Sequence, residues 1–160
     1  MEMGVEYCTW LDDEVYAHYG VRLFPDGDIQ GFIERRAPVW TSVKPPRGII
    51  YILEVNGEAV GMGRLDTFEG DIGEVHNVWT SPEHRGKGYA TVLMNHLEEK
   101  AQEFGFSALR LDTAKFNVPA QRLYAKLGYN EIGRYREITR SESEGIRLYY
   151  EEKVYMEKKL

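Results

Sequence analysis

Apolar positions along the chain follow two rhythms. From Ile49 to Val55 nearly every residue is β-branched, leucine or aromatic, and Glu58–Leu65 is a second β-rich run. Asn56-Gly57 joins them. Both central residues of a type I′ turn need positive φ, so Asn-Gly between two such runs predicts a β-hairpin. Glu74–Thr80 and Ala108–Thr113 read as further strands. Between them the rhythm changes. Leu93, Leu97, Ala101 and Phe104 recur at spacings of four, four and three, which predicts a helix from Gly88 or Tyr89 to Phe104, ended by Gly105.

Strand, helix, strand with a short exit loop is a βαβ unit and implies one parallel pair. A second helix is expected from Pro119 to Leu127, with proline in its first turn and Gly128 after its end. Tyr129–Ile138 and Tyr149–Lys158 read as two final strands, with the polar segment Thr139–Gly145 looping between them. Before the break at Pro45-Pro46-Arg47-Gly48, a short strand is followed by helices over Leu11–Tyr19 and Ile29–Trp40, with a turn at Pro25-Asp26-Gly27. The expected fold is α+β in α/β/α layers: a mixed, mostly antiparallel sheet with one parallel pair. The 160 residues suit a single domain, 1–160.

Composition narrows the classes. At 42% hydrophobic and 29% charged the chain is ordinary for a globular protein. No apolar run approaches the roughly 20 residues of a membrane helix. The acidic first residues lack the layout of a signal peptide, so a cytoplasmic location and no membrane partner are expected. A net charge of −6 argues against nucleic acid as a partner. The single cysteine, Cys8, allows no internal disulfide, and no Cys/His spacing suggests a metal. Cys8 reads as a small buried residue.

The chemistry concentrates in Arg85-Gly86-Lys87-Gly88-Tyr89-Ala90-Thr91, between a strand and an amphipathic helix. A helix start offers free N–H groups and partial positive charge, and glycines let backbone approach a ligand closely. With Arg85 and Lys87 beside it, this suits a diphosphate; a solvated glycine loop with a basic helix cap is the alternative. The P-loop pattern does not fit, because the lysine precedes Gly88. The dinucleotide fingerprint fits imperfectly: Gly86-x-Gly88-x-x-Thr91, with Asp112 on the next strand, has threonine for its third glycine.

Arg85-x-x-Gly88-x-Ala90 resembles the R/Q-x-x-G-x-G/A signature of the GNAT superfamily, the Gcn5-related N-acetyltransferases. Val78–Gly88 looks like that family's strand, loop and helix start. Asn117, Ala120 and Leu123–Tyr129 look like its second block, and Tyr155–Lys158 like its final strand. The resemblance runs from about Ile49 to the C-terminus. It implies the acyl-CoA N-acyltransferase fold, acetyl-CoA as cosubstrate without a metal, and direct attack of an amine on the thioester. It also implies a splay of the sheet near Val78, Trp79 and Thr80, where free backbone N–H groups bind the pantetheine arm and polarise the carbonyl. Arg85–Thr91 and Asn117 then contact the cofactor.

An alkylammonium must lose a proton before it attacks, so a base is required. Glu74, eleven residues before Arg85, takes that role by resemblance. Strand alternation puts His76, Val78 and Thr80 on the same face as Glu74, which makes His76 a second candidate; Asp112 is a third. Tyr124 stands where the family often places a general acid for the leaving thiolate, and is also a cofactor contact. Asn117 serves equally as a helix N-cap. The acceptor is a small-molecule or peptide amine. A small cationic amine is favoured by the acidic balance and by Glu142, Glu144, Glu151 and Glu152, and Tyr149, Tyr150 and Tyr155 can line its cleft. A homodimer is compatible with the sequence. The competing readings are a catalytically silent acyl-CoA sensor and a nucleotide-dependent oxidoreductase.

Overall fold

The Asn56-Gly57 hairpin forms as the sequence demands. In the computed structural model, which describes residues 2–136 and 144–160, both turn residues have positive φ, 53° and 85°. They join β1 (Gly48–Val55) to β2 (Glu58–Glu69). A second tight turn leads into β3 (Ile72–Thr80), antiparallel to β2. A short 3-10 turn at Pro82–His84 precedes α3 (Tyr89–Glu103). Then follow β4 (Ala108–Ala114), α4 (Val118–Lys126), β5 (Asn130–Ile132), α5 (Glu144–Glu151) and β6 (Lys153–Lys159). The strands lie in the order β1-β2-β3-β4-β6-β5, with β3 and β4 the one parallel pair.

Leu93, Met94, Leu97 and Ala101 of α3 are buried. With Leu65, Val75, Leu109, Leu111 and Tyr124 they form the core on one sheet face. α1 (Glu2–Tyr19) and α2 (Ile29–Thr41) precede the sheet, and α1 touches α2, α5 and β2.

Two expectations fail. There is no N-terminal strand among the described residues: α1 begins at Glu2 and buries Cys8, Asp12 and Val15 at helical spacing. The period is hidden because its middle member is a carboxylate. Asp12 accepts hydrogen bonds from the Leu23 and Phe24 amides at 2.6 and 3.1 Å, which makes a buried aspartate tolerable. The C-terminal β pair is also shorter than expected. β5 has three residues, and Tyr149 and Tyr150 lie on α5 rather than in a strand. The expected loop at Thr139–Gly145 lies outside the described residues as far as Ser143, and its last two residues, Glu144 and Gly145, begin α5 instead.

The sheet opens where the site lies. The β3–β4 ladder runs from Ile72/Ala108 only to Val75/Leu111. β4 then continues with β6 to Ala114 while β3 stays with β2 to Thr80. The cause is a bulge. Arg64 pairs with His76 but Met62 with Trp79, so Asn77 and Val78 together oppose Gly63, and Asn77 takes φ 53°. A bulge shifts the pleat by one residue. Glu74 and His76 therefore face away from α3, whereas Val78 packs on the core at Gly63 and Leu97. The four residues expected on one face are divided by Asn77.

Candidate functional site

A cleft of about 480 Å³ lies between the splayed end of β3 and the starts of α3 and α4. Val78, Trp79 and Thr80 form its strand wall. Arg85, Gly86, Gly88, Tyr89, Ala90 and Thr91 form its loop wall, and Asn117 and Tyr124 close it from the α4 side. Lys87 and Glu74 do not border it. Gly88 is the N-cap of α3 with φ 83° and no side-chain cap, so the first amides of the helix have no protein side chain to satisfy them. Nothing lies within 4 Å of a Cβ placed on Gly86 or Gly88. The backbone there is open to a ligand and carries the positive end of the helix dipole.

Arg85 turns back on the strand end. Its Nε donates to the Thr80 carbonyl at 3.2 Å, and its guanidinium lies 4.7 Å from the Trp10 ring centre. Trp10, Glu14 and Phe116 also border the cleft, and no motif pointed to them. Asn117 caps α4, its Oδ1 accepting from the Ala120 amide at 3.3 Å. Capping and a place on the cleft wall coexist.

A Gly88→Val variant should keep its fold, because Gly88 is exposed. It should bind acetyl-CoA about five- to thirtyfold more weakly. A β-branched residue at φ 83° costs about 1–2 kcal/mol; the free loop relaxes out of that conformation and ligand binding must restore it, which accounts for the loss. Titration calorimetry reads the change, and undiminished affinity would remove the α3 start from cofactor binding.

An inner pocket of about 60 Å³ lies past the splay, between β3 and β4. Tyr7 and Trp10 of α1, His76 and Asn77 of β3, Asp112 of β4 and Tyr149 of α5 border it. Trp10, Val78, Phe116, Asn117 and Tyr124 border both cavities, so Tyr124 stands at their junction. Burial pushes the Tyr124 phenol well above its ordinary pKa, and the Asp112 charge adds to this.

Glu74 is placed behind the inner pocket. It is 3% exposed, and its Oε2 lies 3.2 Å from His76 Nε2. Its Oε1 accepts from the Tyr135 hydroxyl at 2.6 Å and from Arg136. Burial alone would raise its pKa. The hydrogen bond and charge of His76, the Tyr135 hydroxyl and the Arg136 charge outweigh burial and hold it below the ordinary glutamate value. Glu74 is thus a fixed carboxylate beside an imidazole that does reach the pocket.

Cys8 is buried, and burial pushes its thiol up to about 11, as suits a packing residue. Among the described residues no group of three or more His, Cys, Asp or Glu could hold a metal ion. None of their helices is long and apolar enough to cross a membrane.

A six-stranded mixed sheet, splayed after its single parallel pair and opening there onto an uncapped helix start, defines an α+β protein with a cleft at the splay. Residues 6–129 match the family model described as "Acetyltransferase (GNAT) family", and the chain belongs to that family. It is 36% identical over 90 residues to the "Uncharacterized N-acetyltransferase YjgM" of Escherichia coli K12, a match covering 54% of each chain. It is 35% identical over 75 residues to a streptothricin acetyltransferase of Escherichia coli, covering 47% of this chain and 43% of that one. The matched stretch spans about half the length of these relatives. Among solved structures, the PaiA N-acetyltransferase of Thermoplasma acidophilum, in complex with coenzyme A, superposes with a TM-score of 0.66. That likeness covers 99% of this chain and 89% of the other at 16% identity, and speaks for the fold alone.

Proposed function

We propose that this chain transfers the acetyl group of acetyl-CoA to an amine within a ternary complex. The observation that carries the reading is the uncapped, glycine-opened start of α3 facing Tyr124 across the cleft. The α3 amides and the loop Arg85–Thr91 hold the pyrophosphate, as Asn117 and the β3 edge hold the pantetheine arm. Beyond Val75 that edge has no β4 partner, so backbone N–H groups of Val78–Thr80 donate to the carbonyl oxygen as charge develops on it. The acceptor enters from the inner pocket. His76 takes the proton the amine must lose, and Glu74 behind it orients the ring and stabilises the charge it gains. The amine nitrogen bonds to the carbonyl carbon as the C–S bond breaks, and Tyr124 donates its proton to the departing thiolate.

Family membership and relatives named N-acetyltransferases support this reading. The acceptor is a small or terminal amine, because the inner pocket is narrow. Glu151 and Glu152 lend no support to a cationic acceptor. Glu151 pairs with Arg147 at 2.9 Å and Glu152 with Lys115 at 3.2 Å, neither borders a cavity, and Glu142 lies outside the described residues.

The test is thiol release from acetyl-CoA with a panel of small amines and N-terminal dipeptides. Amine-dependent release is expected. Acetyl-CoA binding without amine-dependent release from any member would establish the silent acyl-CoA module instead.

A further inference from the structure

Among the described residues Asp112 is the one carboxylate bordering the inner pocket, whose other walls include Tyr7, Trp10, Phe116 and Tyr149. An aromatic enclosure with a free carboxylate attracts ammonium ions. The carboxylate here is not free. Asp112 pairs with Tyr155 and Lys153 with Ala114 across the β4–β6 ladder, so Asp112 and Lys153 are diagonal neighbours on one face. Lys153 Nζ donates to Asp112 Oδ1, the side chains being 7% and 11% exposed. Tyr149 and Tyr150 hold the same ammonium 4.6 and 4.4 Å from their ring centres.

This pair cancels the only negative charge that the described residues place on the pocket wall and sets a cation behind it. An ammonium entering the pocket would find aromatic walls but no unpaired anion, and a buried positive charge nearby. Desolvation and a like charge both disfavour the protonated amine. A neutral amine loses little, and it is the form that attacks a thioester.

Building on the acetyl-transfer reading above, we propose that Lys153 is a specificity-determining residue: its pairing with Asp112 makes the acceptor pocket electroneutral, so that it takes a small uncharged amine and rejects ammonium ions. The substrate class that follows is the weakly basic amine, such as an α-amino group with a pKa near 8, rather than an alkylamine near 10.4. At neutral pH the first offers a much larger uncharged fraction. Lys153 acts through Asp112 and is a positioning residue.

The test uses tetramethylammonium, a small cation that cannot be acetylated, as an inhibitor of thiol release with glycinamide as acceptor. Wild type and Lys153→Arg, which keep the charge, should resist it. Lys153→Met exposes the Asp112 charge to the pocket, and tetramethylammonium should compete with glycinamide at least about tenfold more tightly. Its kcat/KM for glycinamide should fall while acetyl-CoA affinity, read by calorimetry, holds. Lys153→Met/Asp112→Asn, neutral again, should lose the inhibition and regain kcat/KM. A purely structural pair would not create affinity for a cation. Equal inhibition of wild type and Lys153→Met, or persistent inhibition of the double variant, would overturn the proposal. Lys153→Gln serves the same comparison should Lys153→Met fail to fold. Release with other amines of the panel but none with glycinamide would overturn the proposal and leave acetyl transfer standing; no release with any amine from wild type that still binds acetyl-CoA would sink both.

Discussion

Tyr124→Phe should bind acetyl-CoA like the wild type and turn over about 10²–10⁴-fold more slowly, the range of a lost general acid. The substitution removes one oxygen and keeps the ring. That ring belongs to the α3-side core and stands edge-on to Tyr129 at 6.0 Å, so packing should survive. The position supports the role: Tyr124 borders both cavities, which is where a leaving thiolate and an entering amine must meet. Burial holds the phenol protonated well past its ordinary range, so the proton is present at any pH where the protein works. It also means that Tyr124 should contribute no alkaline fall in rate between pH 7 and 10. Stopped-flow acetyl transfer beside calorimetric acetyl-CoA binding separates the two effects. Wild-type turnover by Tyr124→Phe would leave this tyrosine a packing residue.

What could be read from the sequence was whatever is local. The turn at Asn56-Gly57 and the helix start at Gly88 each depend on conformations that few residues adopt, so composition marks them. Their positive φ values follow. Asn117 is legible for the same reason, since its capping bond spans three residues. Long-range pairings are not legible. Trp10 comes to Arg85 because α1 packs across the splay, and no spacing relates residues that far apart. The bulge at Asn77 is a middle case. Asparagine tolerates left-handed φ, but nothing in Glu74–Thr80 says that the strand will use it. Alternation therefore carried Glu74 and Val78 to one face, and the extra residue separates them.

The same limit hides why Glu74 is buried. Its partners Tyr135 and Arg136 lie 61 and 62 residues away, beyond β4, α4 and β5. Spacing from Arg85 marked a carboxylate of interest but not its neighbours. Those neighbours change its chemistry: a carboxylate held below its ordinary pKa accepts a proton poorly, and stabilises a charged imidazole well. The role proposed for it moves accordingly, from the group that takes the proton to the group that makes His76 able to take it.

Glu74→Gln tests that role and carries the largest expected cost in stability. It removes the charge from a residue 3% exposed and leaves Arg136 and Tyr135 around a neutral amide. Breaking one side of a buried pair costs about 3–5 kcal/mol; Arg136 is 30% exposed on its side chain, so solvent lowers the expectation to about 2–3 kcal/mol. The sign with pH follows from the direction of the shift. A carboxylate with a lowered folded pKa stabilises the protein fully above its unfolded value, near 4.3, and loses that contribution as pH falls through the folded value. The stability gap between wild type and Glu74→Gln should therefore be full at pH 7 and shrink below about pH 4.3, as read by denaturant unfolding. Turnover should fall with acetyl-CoA affinity kept, because Glu74 borders neither cavity. A double-variant comparison separates the two mechanisms. If Glu74 acts through His76, Glu74→Gln/His76→Ala should turn over no more slowly than His76→Ala alone. Additive losses would take Glu74 out of the proton path and leave it a structural carboxylate.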